Sequence, residues 1–225
     1  KKQNYFLMPI GIPFSIEEID FNNKNIITPK ERYLISTNYF HKVNKPGSNL
    51  YFSNDETINL PGNSGLSIIN ELHIHLQALN AIEIIKLFNY SQMITAPFVS
   101  IAANSGIVNN KKLIFKDFQL SVFTQAEGLF DGPTNVSRVG LFPNYISSLN
   151  DYFEKILAFK PLYYPHDKLD QTAFESILSK YFGWTRIRIS YKQKPSIRIE
   201  FRPMSTQPTI LENIALTEFY INSLL

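Results

Sequence analysis

The chain has 225 residues, of which 44% are hydrophobic and 14% aromatic, enough for one globular domain with a full core. Its 22 basic and 19 acidic side chains give a formal charge of only +3, which excludes a general affinity for polyanions based on net charge. Cysteine is absent, which excludes disulfides and thiolate metal sites and, without a secretory signal or a long apolar run, indicates a cytoplasmic protein outside the membrane.

No repeat, low-complexity tract or linker divides the sequence, which predicts a single domain over residues 1–225. The apolar stretch "YFLMPIGIPF" at residues 5–14 is typical of a buried strand that runs into a turn. Thr28 and Glu31 form a capping box that opens a helix in "ITPKERYLISTNYFHKV". The polar segment "FSNDETINLPGNSG" at residues 52–65 is predicted to be a loop.

The stretch "ELHIHLQ" at residues 71–77 alternates strictly between polar and apolar side chains, which predicts a strand. The side chains on its polar face are Glu71, His73, His75 and Gln77. The two histidines lie about 7 Å apart, close enough to share a metal ion or to hold one metal ligand and one substrate contact. A hydrogen-bonded or exposed histidine pair fits the same pattern, and without Cys or a third His nearby a zinc site is not supported.

Four helical stretches are predicted in the rest of the chain. The first runs from about residue 78 to residue 90, and Pro97 opens or interrupts a second apolar stretch that reaches residue 103. The clearest helix lies in "NYISSLNDYFEKILAFK", where five apolar side chains fall on one face: Ile146, Leu149, Phe153, Ile156 and Leu157. Thr209 caps an apolar helix that closes the chain. Helices and strands mixed without regular alternation predict an α+β fold with an antiparallel sheet.

Two alternating strands, at residues 185–191 and 196–202, are separated by the short turn "KQKP" and are predicted to pair as a hairpin. One face of this hairpin is charged and carries Arg186, Arg188, Arg198, Glu200 and Arg202. Neighbouring like charges repel, so we expect an anion here, and guanidinium groups suit phosphate and carboxylate oxygens. The single glutamate suits a divalent cation that bridges phosphates. The alternative is a solvent-exposed basic edge that deters sheet aggregation.

Several motifs in one order carry a family resemblance. They are "ELHIHLQ", an apolar stretch ending in "SIAANSG", and "EFRPMSTQP" before the last helix, preceded by "PIGIPF" and "ERY". This set resembles the glutamine synthetase and glutamate–cysteine ligase superfamily, and within it the bacterial and archaeal carboxylate–amine ligases. Their corresponding motifs are a His-x-His strand, an "ALSANSP"-like helix end and a Glu-x-Arg-x-x-Asp-x-Gln-Pro strand. The resemblance covers about residues 7 to 225.

The resemblance implies an enzyme with a glutamine-synthetase-like antiparallel sheet and helices packed on one face. Such an ATP-dependent carbon–nitrogen ligase binds ATP and two or more Mg²⁺ or Mn²⁺ ions. It phosphorylates a carboxylate, usually of glutamate, and an amine attacks the acyl phosphate to form an amide. The implied partners are small amino acid and amine substrates and a further subunit, either another copy in a homo-oligomer or a partner chain that supplies missing carboxylates.

The resemblance also assigns roles to individual residues. His73 and Glu200 match the positions that hold the metal bridging the ATP phosphates, and His75 lies toward the nucleotide. Arg202 matches the catalytic arginine that contacts the transferring phosphoryl group or the substrate carboxylate, and Arg198 the arginine that contacts nucleotide phosphate. Two further arginines without a family match are candidate anion contacts at the nucleotide: Arg186 and Arg188.

The sequence departs from this family at four places. The N-terminal Gly-x-Glu-x-Glu strand, whose carboxylates hold the metals, does not occur in these residues. Gln77 replaces a glycine, Gln119 in "FKDFQLSVF" stands where an arginine is expected, and Ser205 replaces an aspartate. We therefore expect either that another polypeptide or a missing N-terminal part supplies the carboxylates, or that the chain is a degenerate relative.

Three functions follow from these observations. The first is an ATP-dependent carboxylate–amine ligase, and the second is a non-catalytic homologue that binds a ligand or a partner subunit. The third is nucleic-acid binding by the basic hairpin, with Trp184 and Tyr191 as stacking groups. The low net charge counts against the third function, so nucleic acid is not an expected partner.

Overall fold

The computed structural model describes residues 9–12, 49–53, 56–59, 68–108, 111–126, 139–159, 181–190 and 195–224. The strands in these ranges are β1 (Asn49–Ser53), β2 (Glu56–Asn59), β3 (Glu71–Gln77), β4 (Ile107–Val108), β5 (Lys111–Lys112), β6 (Val139–Gly140), β7 (Phe182–Gly183), β8 (Thr185–Ser190) and β9 (Ser196–Ser205). The helices are α1 (Ala81–Ala102), α2 (Phe118–Ala126), α3 (Leu149–Leu157) and α4 (Ile210–Ser223). None of the described helices is long and apolar enough to span a bilayer.

A three-stranded antiparallel sheet in the order β3-β9-β8 organises the described part of the chain. The mixture of helices with this sheet confirms the coarser prediction, an α+β fold with an antiparallel sheet. Strand β3 and the β8–β9 hairpin lie where the alternating patterns predicted them. Tyr191 and three residues of the predicted turn, 192–194, lie outside the described residues.

The central sheet has an apolar face and a polar face. Helix α1 packs on the apolar face against β8 and β9. Tyr220 of α4 stacks on Phe201 with ring centroids 4.1 Å apart, and its hydroxyl lies 2.7 Å from the hydroxyl of Ser91 on α1. These contacts hold two helices on one side of the sheet, so the other side is left for the charged residues.

The polar face carries the charged and imidazole side chains of the three central strands together with Gln77: Glu71, His73, His75, Gln77, Arg186, Arg188, Arg198, Glu200 and Arg202. It includes all seven residues singled out for the site by the sequence. Helix α3 supports the outer strand of this face, because the Tyr152 hydroxyl accepts a hydrogen bond from the Ile187 backbone N–H at 3.0 Å. The edge strand that holds Arg186 and Arg188 is thereby tied to the core.

A β-bulge interrupts the pairing of β3 with β9. Leu72 lies opposite Met204 and Ile74 opposite Phe201, so two residues of β9 face one residue of β3. One of the two is Pro203, which lacks the N–H that a regular ladder would require. Strict alternation would place Ser205 on the same side as Phe201, but the bulge turns it to lie opposite Glu71.

Helix α1 is a single helix, so the prediction of one helix ending at about residue 90 and a second stretch opened or interrupted by Pro97 is wrong. Asn80 caps its first turn by accepting hydrogen bonds from the backbone N–H groups of Ile82 and Glu83. Pro97 removes one helical hydrogen bond, but it lies on the exposed side of α1, where water can bind the freed carbonyl group.

The two C-terminal helix predictions are confirmed in position. Thr209 and Glu212 form the capping box of α4. Helix α3 lies inside the predicted segment, but its buried side chains are Tyr152 and Ile156, whereas Leu157 is half exposed. The prediction that Leu157 shares the apolar face with Ile156 is therefore wrong.

The N-terminal predictions have mixed outcomes. The predicted loop at residues 52–65 is wrong in part, because β1 and β2 occupy 49–53 and 56–59 and form an antiparallel pair. The helix opened by Thr28 lies outside the described residues, as does most of the strand predicted at 5–14. In the turn of that strand, a Cβ at Gly11 would come within 2.7 Å of the Asn104 carbonyl oxygen, so the backbone approach requires glycine.

Candidate functional site

The register of the central sheet places five of the seven predicted site residues in two cross-strand rows. One row runs from His75 through Glu200 to Arg186, and these residues lie directly opposite each other on β3, β9 and β8. The next row runs through Gln77, Arg198 and Arg188.

Glu200 is the centre of the polar face and is 5% exposed. Arg186 Nε donates to its Oε2 at 2.5 Å, and Arg188 Nε lies 3.8 Å from the same oxygen. The other oxygen faces His73 Nδ1 at 3.6 Å and His75 Nε2 at 3.7 Å. Burial alone raises the pKa of Glu200, but the hydrogen bond and charge of Arg186 and the charges of neighbouring arginines outweigh burial and lower the pKa to about 2.

This lowered pKa predicts a loss of stability in acid. The ordinary pKa of the carboxyl group is 4.5 and the folded value is about 2, so the ionised form stabilises the folded state above pH 4.5. The stabilisation is lost as the pH falls through that window and amounts to about 3 kcal/mol. Urea unfolding of the wild type and of Glu200→Gln at decreasing pH measures this stabilisation. The difference between their free energies of unfolding is expected to shrink as the pH falls. A difference that stays constant would contradict the ion pairing of Glu200.

Glu71 provides a second carboxylate that sequence reasoning placed on this face without giving it a role. Its Oε2 accepts a hydrogen bond from Arg202 Nη2 at 3.2 Å and contacts His73 Nε2. The only sequence signal was its position at the start of the alternating strand. With Glu71 included, four guanidiniums and two carboxylates leave a net charge of +2 on the polar face when both imidazoles are neutral.

The outer row presents two arginines to solvent. Arg198 and Arg188 lie directly opposite each other on β9 and β8 and are only partly buried. Arg198 Nε donates to His75 Nδ1 at 3.1 Å, so this nitrogen carries no proton and His75 is neutral in this arrangement. Burial lowers the pKa of His75, which favours the same neutral form despite the opposing effect of Glu200. Two neighbouring guanidiniums without a carboxylate between them favour the binding of an anion.

The metal assignment of His73 and Glu200 does not fit the arrangement of their donor atoms. His73 lies between the two carboxylates, with Nε2 toward Glu71 and Nδ1 toward Glu200, so the donors do not converge on one point. Glu200 also faces guanidiniums, which repel a cation. Among the residues that the structure describes, no group of three or more His, Cys, Asp or Glu side chains could hold a metal ion.

Comparisons with known proteins add no further constraint, since the chain matches no protein-family model, no curated protein and no solved structure. The geometry of the polar face is therefore the main guide to function, and the resemblance to carboxylate–amine ligases is a hypothesis.

Proposed function

We propose that the polar face binds the phosphate groups of ATP and that the chain belongs to an ATP-dependent carboxylate–amine ligase of the glutamate–cysteine ligase type. The observation that carries the proposal is the convergence of four guanidiniums on one sheet face: Arg186, Arg188, Arg198 and Arg202. Phosphoryl transfer requires from a protein mainly positioning and the neutralisation of charge on phosphate oxygens. Guanidinium groups supply both, because their planar donors pair with phosphate oxygens.

The surroundings of each arginine favour different roles. Arg188 and Arg198 are the most open of the set, so they are proposed to bind nucleotide phosphate, with His75 orienting Arg198. Arg202 is fixed by Glu71 and is proposed to contact the transferring phosphoryl group or the substrate carboxylate. Arg186 is already paired with Glu200, so it holds that carboxylate and adds positive charge to the site.

The proposed reaction forms an amide from a small amino acid and an amine through an acyl phosphate. The resemblance adds Mg²⁺ or Mn²⁺ at His73 and Glu200, but hard divalent ions require several oxygen ligands and these donors do not converge. We therefore assign no step to a metal held by these residues. A homo-oligomer or a partner chain that supplies further carboxylates remains part of the proposal, as does the glutamine-synthetase-like form of the sheet and the cytoplasmic location.

A second candidate is a non-catalytic homologue that binds an anionic ligand or a partner subunit. One observation favours it: both carboxylates of the polar face are already engaged by arginines, Glu200 by Arg186 and Glu71 by Arg202. A site of this kind neutralises its ligand directly with guanidiniums and requires no divalent ion.

Calorimetric titration with ATP and ADP, in Mg²⁺ and then in EDTA, tests the two candidates. The ligase predicts binding that requires Mg²⁺, whereas the non-catalytic homologue predicts the same affinity in EDTA. Adenosine is the matched control, because a site built from guanidiniums recognises phosphate and is expected to bind adenosine at least about tenfold more weakly. Equal affinity for adenosine and ATP would contradict both candidates.

A further inference from the structure

Gln119 lies at the edge of the polar face, where α2 meets the ends of β3 and β9. It is 3% exposed. Its Nε2 donates to Glu71 Oε1 at 3.3 Å, and its Oε1 accepts from the Ser205 hydroxyl at 2.8 Å. The carboxylate of Glu71 is an acceptor, so the amide nitrogen must face it and the amide oxygen must face Ser205. Both ends of the Gln119 side-chain amide are therefore hydrogen-bonded in a single orientation of the amide.

A buried cluster fixes the backbone of Gln119 as well. The Ser105 hydroxyl accepts from the Gln119 backbone N–H at 3.2 Å and donates to Asp117 Oδ1 at 3.0 Å. The same Asp117 oxygen accepts from the Leu120 backbone N–H at 3.3 Å, which ties down the first turn of α2. Ser205 lies 3.3 Å from Asp117 Oδ1. The bulge in β9 is what brings Ser205 to this cluster.

The far side of Glu71 faces the site. Its second carboxylate oxygen accepts from Arg202 Nη2 at 3.2 Å, and the guanidinium lies over the ring of Phe123 of α2, 6.0 Å from its centre. Arg202 Nε is buried without a hydrogen-bond partner in the described part of the chain. Helix α2 therefore constrains the Arg202 guanidinium in two ways. Phe123 contacts it directly, and Gln119 acts on it through Glu71.

We propose that Gln119 is a positioning residue that fixes Glu71 so that Glu71 holds the Arg202 guanidinium in one orientation. The identity of the ligand that Arg202 binds rests on the proposed function. The fixed orientation of Arg202 is independent of that function. Glutamine suits the position because it donates to a carboxylate at one end and accepts from a hydroxyl at the other. A glutamate at residue 119 would place two carboxylates against each other, and an alanine would leave one oxygen of Glu71 without this donor.

NMR of arginine Nε–H groups tests the positioning without any ligand. The wild type is expected to give a sharp Arg202 signal, assigned by its loss in Arg202→Lys, because an ordered guanidinium exchanges slowly with water. Gln119→Ala is expected to broaden or abolish this signal. Thr124→Ala is the control, since Thr124 lies on the same helix and its hydroxyl donates to backbone carbonyls of that helix. An unchanged Arg202 signal in Gln119→Ala would overturn the proposal.

A charge-swapped pair tests the same contact if the alanine variant does not fold. Gln119→Glu alone is expected to broaden the Arg202 signal. Adding Glu71→Gln restores one donor and one acceptor between the two residues, so the sharp signal is expected to return. A double variant no better than Gln119→Glu alone would overturn the proposal, because a general structural role predicts no such rescue.

Titration with inorganic pyrophosphate, in Mg²⁺ and then in EDTA, separates this inference from the proposed function. The dissociation constant of pyrophosphate is expected to rise about tenfold in Gln119→Ala, the loss of one hydrogen bond to a charged group. If the Arg202 signal responds as expected but pyrophosphate binds the wild type neither with Mg²⁺ nor in EDTA, the proposed function fails and the positioning role of Gln119 stands. If pyrophosphate binds both variants equally, Gln119 does not position the anion site.

Discussion

Glu200→Gln is expected to lower the free energy of unfolding by about 3 kcal/mol at neutral pH. The substitution keeps the size of the side chain and removes its charge. Glu200 is 5% exposed and is surrounded by Arg186, Arg188 and two histidines. Without the carboxylate, these guanidiniums repel one another, and Arg186 is left as a buried cation with no ionised partner.

Urea unfolding monitored by circular dichroism measures this loss. The matched control is Glu218→Gln, because Glu218 lies exposed on α4 and is expected to change stability by less than about 0.5 kcal/mol. A loss in Glu200→Gln no larger than in the control would show that the ion pair with Arg186 does not form in solution.

Arg202→Lys is expected to weaken ATP binding by about tenfold or more although it keeps the charge. A lysine ammonium can still reach Glu71, but it cannot donate in the plane that a guanidinium provides. It also loses the contact with the face of Phe123, 6.0 Å from the Arg202 guanidinium. Calorimetric titration of the two proteins with ATP measures the difference.

The control for Arg202→Lys is the reverse exchange at an exposed position, Lys86→Arg on α1, away from the polar face. This control is expected to bind ATP like the wild type. Wild-type affinity in Arg202→Lys itself would show that Arg202 does not contact the ligand with its planar group.

The features that depend on short-range patterns could be predicted from the sequence. The alternation of β3 and of the β8–β9 hairpin was sufficient to place Arg186, Arg198 and Glu200 on one face, because side chains in a strand alternate strictly. The capping box at Thr209 located α4 for a similarly local reason.

Features that depend on pairing between distant segments could not be predicted. The bulge opposite His73 arises from the register of β9 against β3, and it alone brings Ser205 to the polar face. The role of Glu71 depends on its distance to Arg202, a residue more than a hundred positions away. The hairpin pattern alone therefore shows one carboxylate, and the pairing of β3 with β9 adds Glu71 to the same face.

Local sequence signals also gave wrong predictions where residues with opposite secondary-structure preferences lie together, or where packing opposes a local preference. Polar residues favoured a loop at 52–65, but aromatic and β-branched residues such as Phe52 and Ile58 favour strands, and β1 pairs with β2. Pro97 favoured a helix boundary, but packing of α1 on the sheet on both sides of Pro97 holds a single helix.

We propose that the polar face is the anion-binding site of this chain. Calorimetric titration with ATP of the wild type, of Arg198→Gln and of Lys86→Gln tests it most directly, because each variant removes one positive charge and only Arg198 lies on that face. The dissociation constant is expected to be about tenfold higher for Arg198→Gln and unchanged for Lys86→Gln. Equal affinities in all three proteins would show that ATP binds elsewhere or without the help of Arg198.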